Sequence, residues 1–323
     1  MVRPGPGLSR RMLLRGGLAG VASLLPWGAD AADAGRPDGR ASVLSAPEIA
    51  APRIVAMDFG LAETLIEMGA PPVAVPNPAS WADWVVEPPL PATVVNLGTD
   101  REPNLELLAT LKPDLIVTTP YLAAIRPVLE RFAPTRTFSI YAPPGGHPFD
   151  LSIAATRDLA ALIARPEAGE ALIARAEETM AQAKRQLEAA GAGKAPLMVV
   201  SFLDANHARI YGAGSLFGDV MTRCGLDNGW TRHSNYWGFN TVGIEALAQN
   251  PTSRLLYLEP VSPDTLRKLD ESPLWNSLPF VQAGHVQRLP PVLMFGMLPS
   301  AMRFARQLVR HLAPDAGEGG GHG

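Results

Sequence analysis

The sequence predicts an α/β protein made of two Rossmann-like lobes that are joined by a single long backbone helix. Short apolar runs alternate with helical segments between residues 53 and 140, and the alternation resumes after residue 197. Between them, residues 166–190 are rich in Ala, Glu, Arg and Gln and contain no glycine after position 169. At 1.5 Å per residue this stretch predicts a helix of about 37 Å.

The first lobe is predicted over residues 53–150. Its apolar runs are short and are bounded by Gly, Pro or helical spacing, which favours buried strands of a parallel sheet. The predicted strands are Arg53–Met57, Pro71–Val75, Leu115–Val117 and Thr137–Ile140, and the predicted helices are Phe59–Met68, Leu105–Leu111 and Ile125–Phe132. This alternation predicts helices that connect strands running in the same direction.

A helical segment over residues 151–193 separates the first lobe from a second α/β lobe over residues 194–312. Pro166 occupies the first position of the long helix, where proline is tolerated. The further predicted elements are a helix at Leu151–Ala164 and strands at Leu197–Leu203, Leu255–Leu258 and Val286–Leu289. A single helical connection implies limited hinge motion, because a helix has few soft dihedrals.

A weak internal repeat supports the two-lobe organisation. In the first lobe the segment Leu105–Ala109 leads to Pro113 and then to a strand, and in the second lobe Ile244–Ala248 leads to Pro251 and then to a strand. The same helix–proline–strand unit therefore occurs once on each side of the long helix.

The first 34 residues have the order of a secretory signal peptide. Arginines precede an apolar stretch from Met12 to Leu25, and two A-x-A cleavage sites follow, ending at Ala31 and Ala34. The segment Ser9–Arg15 is close to the twin-arginine export pattern. A short anchor helix is the alternative, although the stretch is short and rich in Gly and Ala. We predict export to the periplasm and cleavage near Ala31 or Ala34.

Composition and charge exclude several classes of protein and site. Cleavage after Ala34 removes four Arg and two Asp, so the mature charge is 24 minus 29, or −5, which disfavours nucleic acid and anionic membranes. Cys224 is the sole cysteine, and the six histidines are scattered without ligand spacing. We therefore expect no resident metal site. Residues 35–52 are predicted as a linker and residues 313–323 as a disordered, glycine-rich tail.

Several motifs, in order along residues 53–312, carry a family resemblance. They are Trp84–Pro91, Glu102–Leu108, Leu111–Asp114, Gly214–Phe217, Asn235–Gly238, Pro273–Trp275, Pro279–Gly284 and Ser300–Phe304. Together they resemble the FhuD-type ferric hydroxamate siderophore-binding proteins. The W-V-x-E-P-P-L-P and N-x-W-G segments are the more specific part of this resemblance.

The resemblance implies a monomeric carrier with a shallow cleft lined by aromatic rings. Such a protein would deliver an iron(III)–hydroxamate siderophore to an inner-membrane ABC permease and would not be an enzyme. The siderophore, and not the protein, would chelate the iron, so no cofactor is expected. The chelate exposes carbonyl and oxime oxygens and apolar linkers, which suit aromatic walls with a few cationic or phenolic donors.

The resemblance also implies which residues line this cleft. An arginine before the E-P-N-L motif and a tyrosine after the next strand would donate hydrogen bonds to the chelate, and aromatic rings would pack against it. The candidate ligand-binding residues are Arg101, Tyr121, Trp237, Trp84, Asn235, Tyr236 and Phe295. Arg101 and Tyr121 are each displaced by about one residue from the family pattern. Trp81 is a second candidate ring for the first lobe.

Two acidic residues are candidates for docking to the permease. Glu106 and Glu245 occupy equivalent positions in the internal repeat, one in each lobe. In the wider family such carboxylates meet arginines of a two-fold symmetric permease. The alternative is an ordinary exposed carboxylate near a helix N-terminus, which the helix dipole favours.

Two other classes of function stay open. The same fold could bind a carboxylate or mixed-type siderophore, haem or a corrinoid, although carboxylate cargo favours several clustered arginines and the sequence offers one clear candidate. A periplasmic α/β hydrolase is the more distant alternative. The sequence contains no G-x-S-x-G elbow, H-E-x-x-H motif or P-loop, which disfavours that alternative.

Overall fold

The computed structural model describes residues 52–141 and 146–314. The predicted signal peptide (1–34), the linker up to residue 51 and the tail from residue 315 lie outside the described residues. Within the described part of the chain, no helix is long and apolar enough to span a membrane.

The first lobe is built on a parallel five-stranded sheet in the order β3-β2-β1-β4-β5. Its strands are β1 (Ile54–Ala56), β2 (Ala74–Val75), β3 (Val95–Asn96), β4 (Leu115–Thr118) and β5 (Thr135–Thr137). Its helices are α1 (Phe59–Glu67), α2 (Trp81–Trp84), α3 (Leu105–Leu111) and α4 (Arg126–Leu129), and short 3₁₀ turns occupy Pro78–Ser80 and Pro120–Leu122. The central strands β1 and β4 are fully buried, which explains their uninterrupted apolar sequences.

The second lobe contains a mixed five-stranded sheet in the order β10-β9-β6-β7-β8. Its strands are β6 (Leu197–Phe202), β7 (His207–Tyr211), β8 (Phe239–Gly243), β9 (Arg254–Leu258) and β10 (Val286–Leu289). Strands β6, β9 and β10 are parallel to one another, whereas β7 pairs antiparallel with both of its neighbours, β6 and β8. The α/β class and the two lobes agree with the sequence prediction, but the antiparallel edge was missed. A four-residue turn in which Asp204 accepts hydrogen bonds from the amides of Asn206 and His207 reverses the chain into β7.

The helices after the first sheet join and flank the two lobes. They are α5 (Pro148–Leu162), α6 (Pro166–Ala189), α7 (Leu216–Arg223), α8 (Pro263–Asp270), α9 (Pro273–Asn276), α10 (Pro279–Gln282) and α11 (Leu298–Leu312), with 3₁₀ turns at Ala192–Lys194 and Ile244–Gln249. Helix α6 is the long helix that the sequence predicts. Its buried face includes Leu172, Ala176, Ala183 and Leu187, and it packs against α5 and α11.

The C-terminal helix α11 is the second element shared by both lobes. It packs along α6 and also contacts α1 of the first lobe and α7 of the second. One cluster of buried apolar side chains extends from β1 through α6 into β6, α7 and α11. The lobes are therefore connected through a continuous core as well as by the chain of α6.

Close packing between α5 and α6 depends on Gly169. A Cβ atom at this position would lie 2.5 Å from the Cβ of Ala160 on α5. We expect Gly169→Ala to destabilise the protein by about 1–3 kcal/mol through overpacking, even though alanine is the better helix former by about 1 kcal/mol. Chemical denaturation of the mature protein measures the change.

The matched control is the double variant Ala160→Gly/Gly169→Ala, which removes the opposing methyl group. It should be more stable than the sum of the two single effects predicts, because the two positions are in contact. Strictly additive effects would contradict this description of the helix contact.

Candidate functional site

A cavity of about 420 Å³ opens between the two lobes. Its first-lobe wall comes from the segments that follow the carboxyl ends of strands β1, β3, β4 and β5, which is where open parallel sheets bind their ligands. Its second-lobe wall comes from β7, the start of β8 with the turn before it, and the segment before α11. The lining residues are Asp58, Leu61, Asp100, Thr119, Pro120, Tyr121, Phe138, Ser139, Ile140, Tyr141, Arg209, Trp237, Phe239, Phe295 and Met297.

An arginine–tyrosine pair provides the polar donors on the first-lobe side. Tyr121 lies in the 3₁₀ turn after β4, lines the cavity and is 52 % exposed. The guanidinium of Arg101 lies 4.8 Å from the centre of the Tyr121 ring and donates a hydrogen bond to its hydroxyl. Arg101 therefore sits at the rim of the cavity. Both groups retain N–H or O–H donors for an acceptor in the cavity.

A tight turn before β8 positions the tryptophan on the opposite side. The side-chain oxygen of Asn235 accepts hydrogen bonds from the amides of Trp237 (2.9 Å) and Phe239 (3.2 Å). Gly238 has φ of +78° and lies against the backbone of Gly214, so a side chain would not fit there. The N-x-W-G motif thus fixes a turn that presents Trp237 to the cavity.

Aromatic rings from both lobes meet at one end of the cavity. Tyr141 of the first lobe packs edge-to-face on Trp237 and Phe295 of the second, with ring centres 5.5 and 6.2 Å apart. Its hydroxyl donates to the carbonyl of Met294 (3.1 Å), while the hydroxyl of Tyr236 donates to the Tyr141 carbonyl (2.9 Å). These contacts hold the two walls together and leave an apolar surface for a ligand.

Two carboxyl groups support the cavity: the half-buried Asp58 just before α1 and the fully buried Glu63 within it. Asp58 lines it and caps α1 by accepting from the amide of Leu61 (3.2 Å). Glu63 is fully buried and accepts hydrogen bonds from the amides of Met297 (2.9 Å) and Ser300 (3.2 Å) at the start of α11. Burial raises the pKa of Asp58 to about 6 and that of Glu63 to about 8, although the hydrogen bonds oppose the shift.

Comparison with known proteins places this architecture in a family. The profile of the family described as "Periplasmic binding protein" matches residues 54–293, which is most of the chain. The chain belongs to the periplasmic binding protein family. It is 33 % identical over 256 residues to the iron(3+)-hydroxamate-binding protein FhuD of Escherichia coli, covering 79 % of this chain and 85 % of that protein. This match confirms the resemblance to the FhuD-type proteins.

Solved structures agree with this membership. FhuD from Vibrio cholerae, bound to Fe³⁺–Desferal, superposes with a TM-score of 0.76 at 27 % identity, over 81 % of this chain and 98 % of that one. The triscatecholate siderophore-binding protein FeuA from Bacillus subtilis superposes with a TM-score of 0.67 at 18 % identity, over 81 % and 93 % of the two chains, and shares the fold. Binding proteins of this family carry no cofactor, as the sequence predicted.

The structure brings together four of the seven predicted binding residues. Tyr121, Trp237 and Phe295 line the cavity, and Arg101 bonds to Tyr121 at its rim. Two of the four, Arg101 and Tyr121, belong to the first lobe, and the other two belong to the second.

The other three predicted residues do not line the cavity in the described part of the chain. Asn235 shapes the Trp237 turn, and Tyr236 bonds to Tyr141 behind it. Trp84 lies on α2 and is 38 % exposed. One turn earlier, Trp81 is buried against Phe59 and donates to the carbonyl of Pro88, so neither tryptophan reaches the cavity lining.

The sequence did not predict most of the cavity lining, and three of the residues it missed are Asp58, Tyr141 and Arg209. Asp58 and Tyr141 each follow a strand of the first sheet closely, at the edge where its ligand site forms, and this position was the available signal. Arg209 lies on β7, a strand that was not predicted, so nothing in the sequence pattern pointed it toward the cavity.

The buried Glu63 predicts how stability depends on pH. Because its pKa is raised from 4.5 to about 8 on folding, the folded protein retains a proton that the unfolded chain has lost between these values. Stability should therefore fall as the pH rises through that window. Glu63→Gln should flatten the fall between pH 5 and pH 8, as measured by denaturant unfolding at several pH values.

Glu67→Gln is the matched control, because Glu67 lies on the same helix but forms a surface ion pair with Arg175. This variant should keep the wild-type pH slope. A Glu63→Gln protein with an unchanged slope would show that Glu63 does not control this titration.

Proposed function

We propose that this protein is an exported periplasmic carrier that binds an iron(III)–hydroxamate siderophore and delivers it to an inner-membrane ABC importer. The observation that carries the proposal is the Arg101–Tyr121 pair, which faces an aromatic cluster across the interlobe cavity. The pair can donate to the oxygens around iron, and the rings can pack on the apolar linkers of the chelate. Binding, and not catalysis, is then the role of the cavity.

The cargo assigned to the relatives supports this class of ligand. The E. coli relative is named for iron(3+)-hydroxamate binding, and the V. cholerae structure contains Fe³⁺–Desferal. The structural neighbour FeuA binds a triscatecholate at 18 % identity, so the shared fold alone does not select the chelate. We favour hydroxamate because the relative with substantial sequence identity is a hydroxamate binder.

We also propose that Glu106 and Glu245 dock on the permease. Both side chains are exposed, and each lies in the first turn of a short helix, α3 in the first lobe and the 3₁₀ turn Ile244–Gln249 in the second. One carboxylate per lobe suits a partner with two equivalent cationic sites. A monomeric carrier would present both to the same permease.

The binding role of the first-lobe donors predicts a loss of affinity when a donor is removed. Tyr121→Phe keeps the ring but removes the hydroxyl, and Arg101→Ala removes the guanidinium. Each should weaken binding of ferric desferrioxamine about tenfold or more, since hydrogen bonds from or to charged groups contribute about 1.5–3 kcal/mol. Quenching of intrinsic tryptophan fluorescence measures the dissociation constant.

Tyr257→Phe is the matched control, because Tyr257 lies on β9 of the second lobe and does not line the cavity. It should bind the chelate like the wild type. Wild-type affinity in both Tyr121→Phe and Arg101→Ala would refute the placement of the site.

If Glu106 and Glu245 dock on the permease, replacing them should reduce uptake without changing the affinity for the chelate. The double variant Glu106→Gln/Glu245→Gln should bind the ferric chelate with wild-type affinity, because neither residue lines the cavity. Uptake of radio-iron-loaded chelate by cells that depend on this protein should fall several-fold, about as expected for the loss of two steering charges.

Glu177→Gln removes a single carboxylate at an exposed position on α6, away from the proposed docking residues, and should support normal uptake. Reduced chelate affinity in the Glu106/Glu245 double variant, or unchanged uptake, would refute the docking role.

A further inference from the structure

Arg209 brings a second guanidinium into the cavity, from the lobe opposite to Arg101. It lies on β7, and its Cζ atom stands 4.4 Å from the centre of the Phe239 ring. Its Nη1 donates to the sulfur of Met294 at 2.8 Å. An aromatic face and a thioether hold the group in place, but a thioether is a weak hydrogen-bond acceptor and neither neighbour neutralises a charge.

The charge of Arg209 has no carboxylate partner within the described residues. No Asp or Glu oxygen there lies within 4.0 Å of its guanidinium nitrogens. The Nε atom is also buried without a hydrogen-bond acceptor. The first-lobe wall carries two acids, Asp58 and Asp100. Asp58 already accepts a hydrogen bond from the Leu61 amide at the start of α1.

An unpaired guanidinium in a partly buried site is costly unless something supplies an acceptor. Desolvation penalises the isolated charge, and an anionic oxygen placed beside it offsets that penalty. The Arg101 guanidinium at the rim bonds to a phenol, and it too forms no ion pair with a described carboxylate. A ferric trihydroxamate core is electrically neutral, so it would bring no carboxylate oxygen to the unpaired Arg209 guanidinium.

We propose that Arg209 is a second cargo-binding residue and that it selects ferric hydroxamate chelates that also carry a carboxylate. In the bound complex, the carboxylate oxygen accepts hydrogen bonds from Arg209 on the second lobe, while Arg101 and Tyr121 contact the hydroxamate oxygens from the first. This inference rests on the proposed function, and it names the class of siderophore within it. The sequence disfavoured carboxylate cargo because it offered one clear arginine for the cleft, and Arg209 supplies a second one.

The test compares two chelates that differ in charge. The first is the ferric complex of N-acetyl desferrioxamine B, a neutral trihydroxamate, and the second is a ferric citrate-based dihydroxamate with free carboxylates. Each is titrated into the wild type, Arg209→Gln and Arg209→Lys. Arg232→Gln serves as the control, because Arg232 is exposed and stacks on Trp230 away from this cavity.

The wild type should bind the carboxylate-bearing chelate more tightly than the neutral one. Arg209→Gln should weaken binding of the carboxylate chelate about tenfold to a hundredfold, and that of the neutral chelate by less than about threefold, as expected for the loss of one charge-assisted hydrogen bond. Arg209→Lys should recover part of the loss because it keeps the charge without the planar fork. Arg232→Gln should match the wild type for both chelates.

Equal losses for the two chelates in Arg209→Gln would show that Arg209 only supports the wall, and no loss for either would exclude it from binding. If Arg209→Gln fails to fold, the wild-type comparison decides, and binding of the neutral chelate as tightly as the carboxylate chelate overturns the inference. A wild type that binds neither chelate refutes the proposed function itself. These outcomes keep the two proposals separate.

Discussion

The cavity depends on the attachment of α11 to the first lobe by one buried carboxyl group. Glu63 accepts hydrogen bonds from two backbone amides and from the hydroxyl of Ser300, at the point where α11 begins. Phe295 and Met297, just before that point, form part of the second-lobe wall. The position of this wall relative to Asp58, the N-cap of α1, is therefore set by hydrogen bonds inside the protein. Because Ser300 and Glu63 are both buried, water does not compete for these bonds.

Much of the architecture follows from the apolar pattern of the sequence, and the exceptions have physical reasons. The strands β1 and β4 are predictable because burial on both faces leaves an uninterrupted apolar run, and α6 is predictable because burial of one stripe leaves a helical period. Strand β7 is less apparent, because it carries His207 and Arg209 at alternate positions with its apolar residues and begins after a short turn. Missing that strand also concealed the antiparallel edge of the second sheet.

The site could be predicted where a motif fixes a turn, and not where tertiary packing chooses the side chain. The Asn235 and Gly238 positions are needed for the turn that holds Trp237, so the motif identified the ring. For Trp84 the motif was misleading as a guide to the cavity. Its segment instead places Glu87 in ion pairs with Arg303 and Arg306 of α11. These ion pairs connect α11 to the first lobe, and no local sequence pattern predicts them.

The continuous core through both lobes also bears on how a membrane partner could distinguish a loaded carrier from an empty one. A protein whose halves share α6, α11 and one cluster of buried side chains has little freedom to report occupancy through a large change of angle between the lobes. Information about the cargo must then be local. Under the proposed function, it would lie in the exposed surface of the bound chelate and in rim side chains such as Tyr121 and Arg101. The partner would then distinguish the two states by contacting the cargo and the rim directly, and not by sensing the angle between the lobes.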